Sequence, residues 1–186
     1  MLVRLSRKDA HTAKLMGADT VALCKMQGFD PRLENEDQSR EEANILGYKA
    51  EFAVARLLDL EPPEINVLSD GGVDLWLDED ISVDVKFTNM KKDPKVIFDS
   101  MAKFRADIAI LVTQHDEDDE IYEIHGWISR RTFKKCNHTL DYGYGQRLVM
   151  DAEDLHPIEL LWGYTKAYGY GTLSNYLDTT EGLRWV

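Results

Sequence analysis

Gly71-Gly-Val-Asp-Leu-Trp-Leu77, the acidic turn Asp78-Glu-Asp80 and Ile81-Ser-Val-Asp-Val-Lys-Phe87 form the run on which the fold of this chain turns. Side chains two apart on a strand share a face. The second segment therefore directs Val83, Val85 and Phe87 to one side, and Asp84 and Lys86 to the other. The first segment reads as a strand that the acidic turn folds back against the second. Counting back from that turn brings Asp74 beside Asp84, near the ends of both strands. The expectation is a pair of strands with one apolar face and one face carrying two carboxylates and an ammonium.

Working outward, short apolar or β-branched segments predict further strands over 65–68, 95–98, 107–113 and 121–127, with turns over 89–94 and 115–120. Ala109-Ile-Leu-Val112 is apolar throughout, as a central strand covered on both faces requires. On the amino-terminal side, apolar residues at helical spacing predict a helix over 7–28, with Gly28 as its stop. The acidic, proline-containing stretch 30–38 reads as a linker. Ser39, with Glu42 three residues on, has the spacing of a capping box. It opens a second helix whose Ala43, Leu46, Ala50, Ala53 and Leu57 form one stripe. Residues 129–135 read as a short helix and 151–162 as a further helical turn or two. The expected plan is an N-terminal helical arm and linker over 1–38, a mixed α/β core over 39–165 with a central sheet flanked by helices, and a Gly/Tyr-rich tail over 166–186.

Composition narrows the function classes. A length of 186 residues suits one core, and 44% hydrophobic with 30% charged residues describes a globular chain, not a disordered or fibrous one. Against 34 acidic residues stand 22 basic ones, a net charge of −12, which argues against coating nucleic acid by bulk attraction. Any polyanion must meet a local basic patch. Cys24 and Cys136 form no CxxC pair, so neither a disulfide framework nor a thiolate zinc site is indicated. The five histidines show no metal-ligand spacing. No stretch approaches the roughly 18 apolar residues of a membrane span, and the start lacks a signal-type apolar region, so a cytoplasmic protein without a membrane partner is expected.

The chain holds two Asp-x-Lys triplets, Asp84-Val-Lys86 and Asp93-Pro-Lys95. Proline removes the second from any paired strand interior. For the first, an ordinary surface ion pair worth up to about 1 kcal/mol is the plain reading. A third acidic group weighs against it. Glu51 lies on the capped helix at the border of its apolar stripe, with Gly47 one turn before it and Val54 and Leu58 on the same side. A carboxylate drawn toward the sheet needs a partner: Lys86, an ion, or both.

In order and spacing, Glu51, Asp74, Asp84 and Lys86 resemble the signature of the PD-(D/E)XK nuclease superfamily, whose members share the restriction-endonuclease-like fold. The resemblance covers residues 39–165, including the strand Ala106–Val112 and the segment Gly126-Trp-Ile-Ser129. Val73 stands at the Pro of the family name, and no Gln-x-x-x-Tyr follows the triplet, unlike in the RecB-like exonuclease branch. The resemblance implies a metal-dependent nuclease that hydrolyses phosphodiester bonds, a DNA endonuclease, with DNA ahead of RNA by family habit alone. Asp74 and Asp84 would ligate Mg²⁺ or Mn²⁺ together with the Val85 carbonyl, and Glu51 would hold a second ion or a metal-bound water. Hard oxygen donors suit such an ion better than imidazole or thiolate. Lys86 would orient the attacking water and offset charge on the phosphate.

Lys91, Lys92 and Lys95, with Lys103 and Arg105, follow the motif, and Arg130, Arg131, Lys134 and Lys135 form a second cluster. Both fit phosphate contacts, and both fit a solvated face that balances nearby acids. Tyr142 and Tyr144, like the tyrosines of the tail, suit base stacking or an interface with a second copy of the chain or a partner protein that adds DNA contacts. Two further readings stand beside the nuclease: an inactive nuclease-fold binding module or nucleic-acid-mimicking acidic domain, and a structural subunit whose triplet is an ion pair.

Overall fold

Each long helix starts where a serine side chain accepts a backbone N–H that the first turn leaves unsatisfied. Ser6 and Asp9 cap each other reciprocally at the head of α1 (Arg7–Met26). Ser39 accepts from the Glu42 N–H at the head of α2 (Arg40–Leu58), which ends on Asp59 in the left-handed region. The computed structural model describes residues 1–28, 39–65, 72–78, 81–143 and 145–161. The linker 30–38, the strand expected over 65–68 apart from Ile65, the turn residues 79–80, Tyr144 and the tail from 162 lie outside them.

Five strands form the main sheet: β1 (Leu2–Arg4), β2 (Leu75–Asp78), β3 (Ile81–Phe87), β5 (Ile108–Gln114) and β6 (Ile121–Ser129), in the order β1-β6-β5-β3-β2. Only the β3–β5 pair is parallel. The Ser82–Asp107 clasp fixes its start: the Asp107 carboxylate accepts from the Ser82 N–H at 2.9 Å and the Ser82 hydroxyl at 2.6 Å, while the Asp107 N–H donates to Ser82 Oγ at 3.0 Å. A second, antiparallel sheet is made of β4 (Lys95–Phe98), β8 (Gln146–Asp151) and β7 (His138–Asp141), in the order β4-β8-β7. A short helix, α3 (Arg130–Cys136), is capped by Ser129.

The main sheet separates two apolar clusters. One joins Val83, Ile108, Ile110, Val112, Tyr122 and Ile124 to Ala50, Ala53, Val54 and Leu58 of α2. The other joins Ala109, Leu111 and Ile128 to Val96 and Phe98 of β4, Phe133 of α3, Met150 of β8, and Phe104. The result is a mixed α/β architecture, with α2 on one face of the sheet and the second sheet and α3 on the other.

Two features differ from the expectation. The amino-terminal stretch is built into the structure and does not hang from it as an arm: β1 pairs with β6, and α1 lies so close on α2 that a Cβ at Gly17 would stand 2.5 Å from Ile45 Cγ1 and 2.8 Å from Ile45 N. The second face of the sheet is covered mainly by the β4-β8-β7 sheet, with α3 beside it, so a second sheet lies where helices alone were expected. No described helix is long and apolar enough to cross a membrane.

Candidate active site

Beyond its last ladder pair, Leu75 with Val83, the β2–β3 hairpin is continued by a side chain. The Asp74 N–H donates to the Val83 carbonyl at 2.8 Å, and its carboxylate Oδ2 accepts the Val85 N–H at 2.6 Å. The carboxylate thus takes the place a strand carbonyl would have held, and anchors itself opposite Asp84. A bond of this charge-assisted kind contributes about 1.5 to 3 kcal/mol.

The faces of β3 divide as the alternation requires. Val83, Val85 and Phe87 belong with the cluster under α2. Asp84 and Lys86 turn to the opposite face, where Lys86 Nζ stands 2.6 Å from Asp84 Oδ1. The Asp84 side chain is 2% exposed and that of Lys86 32%, so the carboxylate is buried and the lysine side chain is partly open to solvent. Lys86 Nζ also lies 4.7 Å from the centre of the Phe98 ring, a cation–π contact with β4 of the second sheet. Gly72, at φ +84°, lies close to this group: a Cβ there would stand 3.9 Å from Asp84 Oδ2 and 3.3 Å from the Lys103 carbonyl. The positive φ and the narrow gap both call for glycine.

Glu51 is half-buried on α2, the helix that covers the other face of the sheet. The described residues contain no group of three or more His, Cys, Asp or Glu disposed to hold a metal ion, with Glu51, Asp74 and Asp84 among those searched. The structure therefore joins Asp74, Asp84 and Lys86 through β3, and leaves Glu51 on a separate layer. As a donor set, two aspartate carboxylates beside the Val85 carbonyl remain chemically suited to a hard divalent ion.

The basic candidates part company. Lys91 pairs with Asp116 at 2.5 Å, and that hydrogen bond holds the Asp116 carboxyl below its ordinary range. Lys95 pairs with Asp151, whose hydrogen bond pushes the lysine up. Lys92, Arg131 and Lys134 are exposed, and Arg130 donates from Nε to the Phe104 carbonyl. Three participants escaped the reading of the sequence. Phe98 beneath Lys86 gives no local signal, because the contact joins two sheets. Ser82 and Asp107 could have been suspected, one from its place on the polar face of β3 and the other from its place just before β5.

No protein-family model, curated protein or solved structure matches the chain.

Proposed function

We propose that the chain is a metal-dependent nuclease that hydrolyses phosphodiester bonds, acting on DNA as an endonuclease. The observation that carries this reading is the grouping of Asp74, Asp84 and Lys86 on β3 and the strand end beside it, with Asp74 bound to the Val85 N–H and Lys86 Nζ on Asp84. Asp74, Asp84 and the Val85 carbonyl would hold Mg²⁺ or Mn²⁺. Such an ion supplies Lewis acidity toward the phosphate and lowers the pKa of a bound water. Lys86, whose Nζ rests on the buried Asp84 carboxylate while about a third of its side chain is exposed, can offer a proton or positive charge to a phosphoryl oxygen. The Asp74–Val85 bond holds the hairpin end in place, and Gly72 lies so close that a Cβ there would stand 3.9 Å from Asp84 Oδ2.

One observation favours a second reading. Asp84 is buried beneath Lys86, whose ammonium rests on Phe98, and this arrangement also serves as an ion pair that joins the two sheets in a non-catalytic binding module. Cleavage of supercoiled plasmid and of single-stranded DNA in Mg²⁺, Mn²⁺ and EDTA separates the two. The nuclease reading expects metal-dependent cleavage that Asp84→Asn and Lys86→Ala each abolish. Cleavage that is equal in the wild type and both variants comes from a contaminant and ends that reading.

A further inference from the structure

Lys103 and Arg105 are exposed on either side of Phe104, which is fully buried. The alternation has a physical anchor. Phe104 stacks on Phe98 at 4.3 Å and meets Phe133 edge-on at 5.5 Å, so the ring is clamped and its neighbours are directed outward. Arg130, exposed at the start of α3, donates from Nε to the Phe104 carbonyl between those neighbours, and its own N–H donates to the Asp107 carbonyl. Three cations from two segments thus converge on one residue. Among the described residues, none of the three has a carboxylate partner, in contrast to Lys91 on Asp116 and Lys95 on Asp151.

The group is joined to the candidate site by two independent contacts. Phe98, which stacks on Phe104, is also the ring under Lys86 Nζ. The Lys103 carbonyl borders the same Cβ-sized gap at Gly72 that Asp84 Oδ2 borders. A chain with a net charge of −12 repels polyanions in bulk and needs such a local patch to hold one.

We infer that Lys103, Arg105 and Arg130 form the surface that grips the nucleic-acid backbone beside the Asp74–Asp84–Lys86 group, through phosphates flanking the one to be cut. Arg130 spends Nε on Phe104 and keeps its terminal nitrogens for a phosphate, which an arginine fork can bind with two hydrogen bonds. The contacts go to the backbone and carry no base sequence. Unlike Lys91 and Lys95, these three do not spend their charge on an acid.

This inference rests on the nuclease reading for its substrate, and its test reads binding without cleavage. Fluorescence anisotropy of labelled duplex and single-stranded oligonucleotides in EDTA, from 50 to 300 mM salt, would compare the wild type with Lys103→Ala/Arg105→Ala/Arg130→Gln and with Lys91→Ala/Lys95→Ala. The triple variant should bind roughly tenfold or more weakly, and its log–log salt slope should fall by about 2 to 3, near 0.9 per duplex phosphate lost. The double variant should bind as the wild type does. Arg130→Gln keeps a donor for the Phe104 carbonyl, and Lys103→Glu/Arg105→Glu, which leaves Arg130 intact, should weaken binding further than Lys103→Ala/Arg105→Ala. Unchanged affinity and slope in the triple and charge-reversed variants, with the wild type binding, overturns the patch alone. A wild type that binds neither oligonucleotide overturns the patch, while metal-dependent cleavage decides the nuclease reading separately. Binding that depends on the patch, without metal-dependent cleavage, leaves the patch standing and removes the nuclease.

Discussion

Asp84-Val-Lys86 and Asp93-Pro-Lys95 have the same spacing of acid and base and opposite fates. In the first, both charges lie on one face of a paired strand, and they meet each other at 2.6 Å with the carboxylate buried. In the second, Asp93 takes a left-handed turn conformation at φ 53°, Pro94 follows, and Lys95 reaches across the second sheet to Asp151. A carboxylate and a lysine two residues apart become partners only where the backbone is extended and paired. The triplet is therefore a statement about the strand that carries it.

The contrast can be broken most severely at Lys86. Lys86→Ala removes the ammonium from a buried carboxylate and should cost about 3 kcal/mol in urea unfolding, at the low end for a broken buried pair because a third of the lysine is exposed. Asp84→Asn should cost less, since the lysine it frees can turn to solvent. If the two cost the same, the asymmetry of burial has no energetic meaning. Next comes Asp74→Ala, which leaves the Val85 N–H without its charged acceptor and should cost about 2 kcal/mol. Amide exchange at Val85 should quicken in that variant, and unchanged exchange would show the bond to be dispensable.

The second triplet should respond weakly. Lys95→Ala should cost at most about 1 kcal/mol, as one side of a pair near the surface. Its pH signature is specific. The bond to Asp151 raises the Lys95 pKa above 10.5, so its stabilisation is complete below pH 10.5 and is lost as pH rises through the raised value. Alkaline unfolding of Lys95→Ala should lack that part of the decline, and curves of identical shape would refute the assignment. Smallest of all is Asp93→Gly. Glycine enters the left-handed region without penalty and should stabilise by about 0.5 kcal/mol, which a shift of the unfolding midpoint would register.

Much of the fold was legible before any coordinates, and the reasons are local. Strand alternation separated Asp84 and Lys86 from Val83 and Val85, and β3 spans the residues expected of it. Ser39 announced its helix because a cap acts on the few residues that follow it, and the short helix after Ser129 lies where one was expected. β7 and β8 escaped notice because their short, mostly polar segments show no sustained period; their pairing with each other and with β4 makes them strands. β1 has three residues and is held by β6, more than a hundred positions away. At the site, Asp74 beside β3 follows from turn counting, whereas Phe98 under Lys86 and the Phe104 clamp depend on how two sheets lie against each other.

What the amino-acid order alone determined is the set of choices made within a few residues: where helices begin, which side of β3 is charged, and why only one Asp-x-Lys triplet can sit in a strand. What only the tertiary structure decided is which charges meet. Lys86 found Asp84, Lys91 and Lys95 found acids remote in sequence, and Lys103, Arg105 and Arg130 gathered around one buried phenylalanine. The physical reason is range. Backbone propensity and side-chain alternation act over a few positions, while an ion pair or a ring stack forms wherever packing brings two groups within a few ångströms, whatever their separation along the chain.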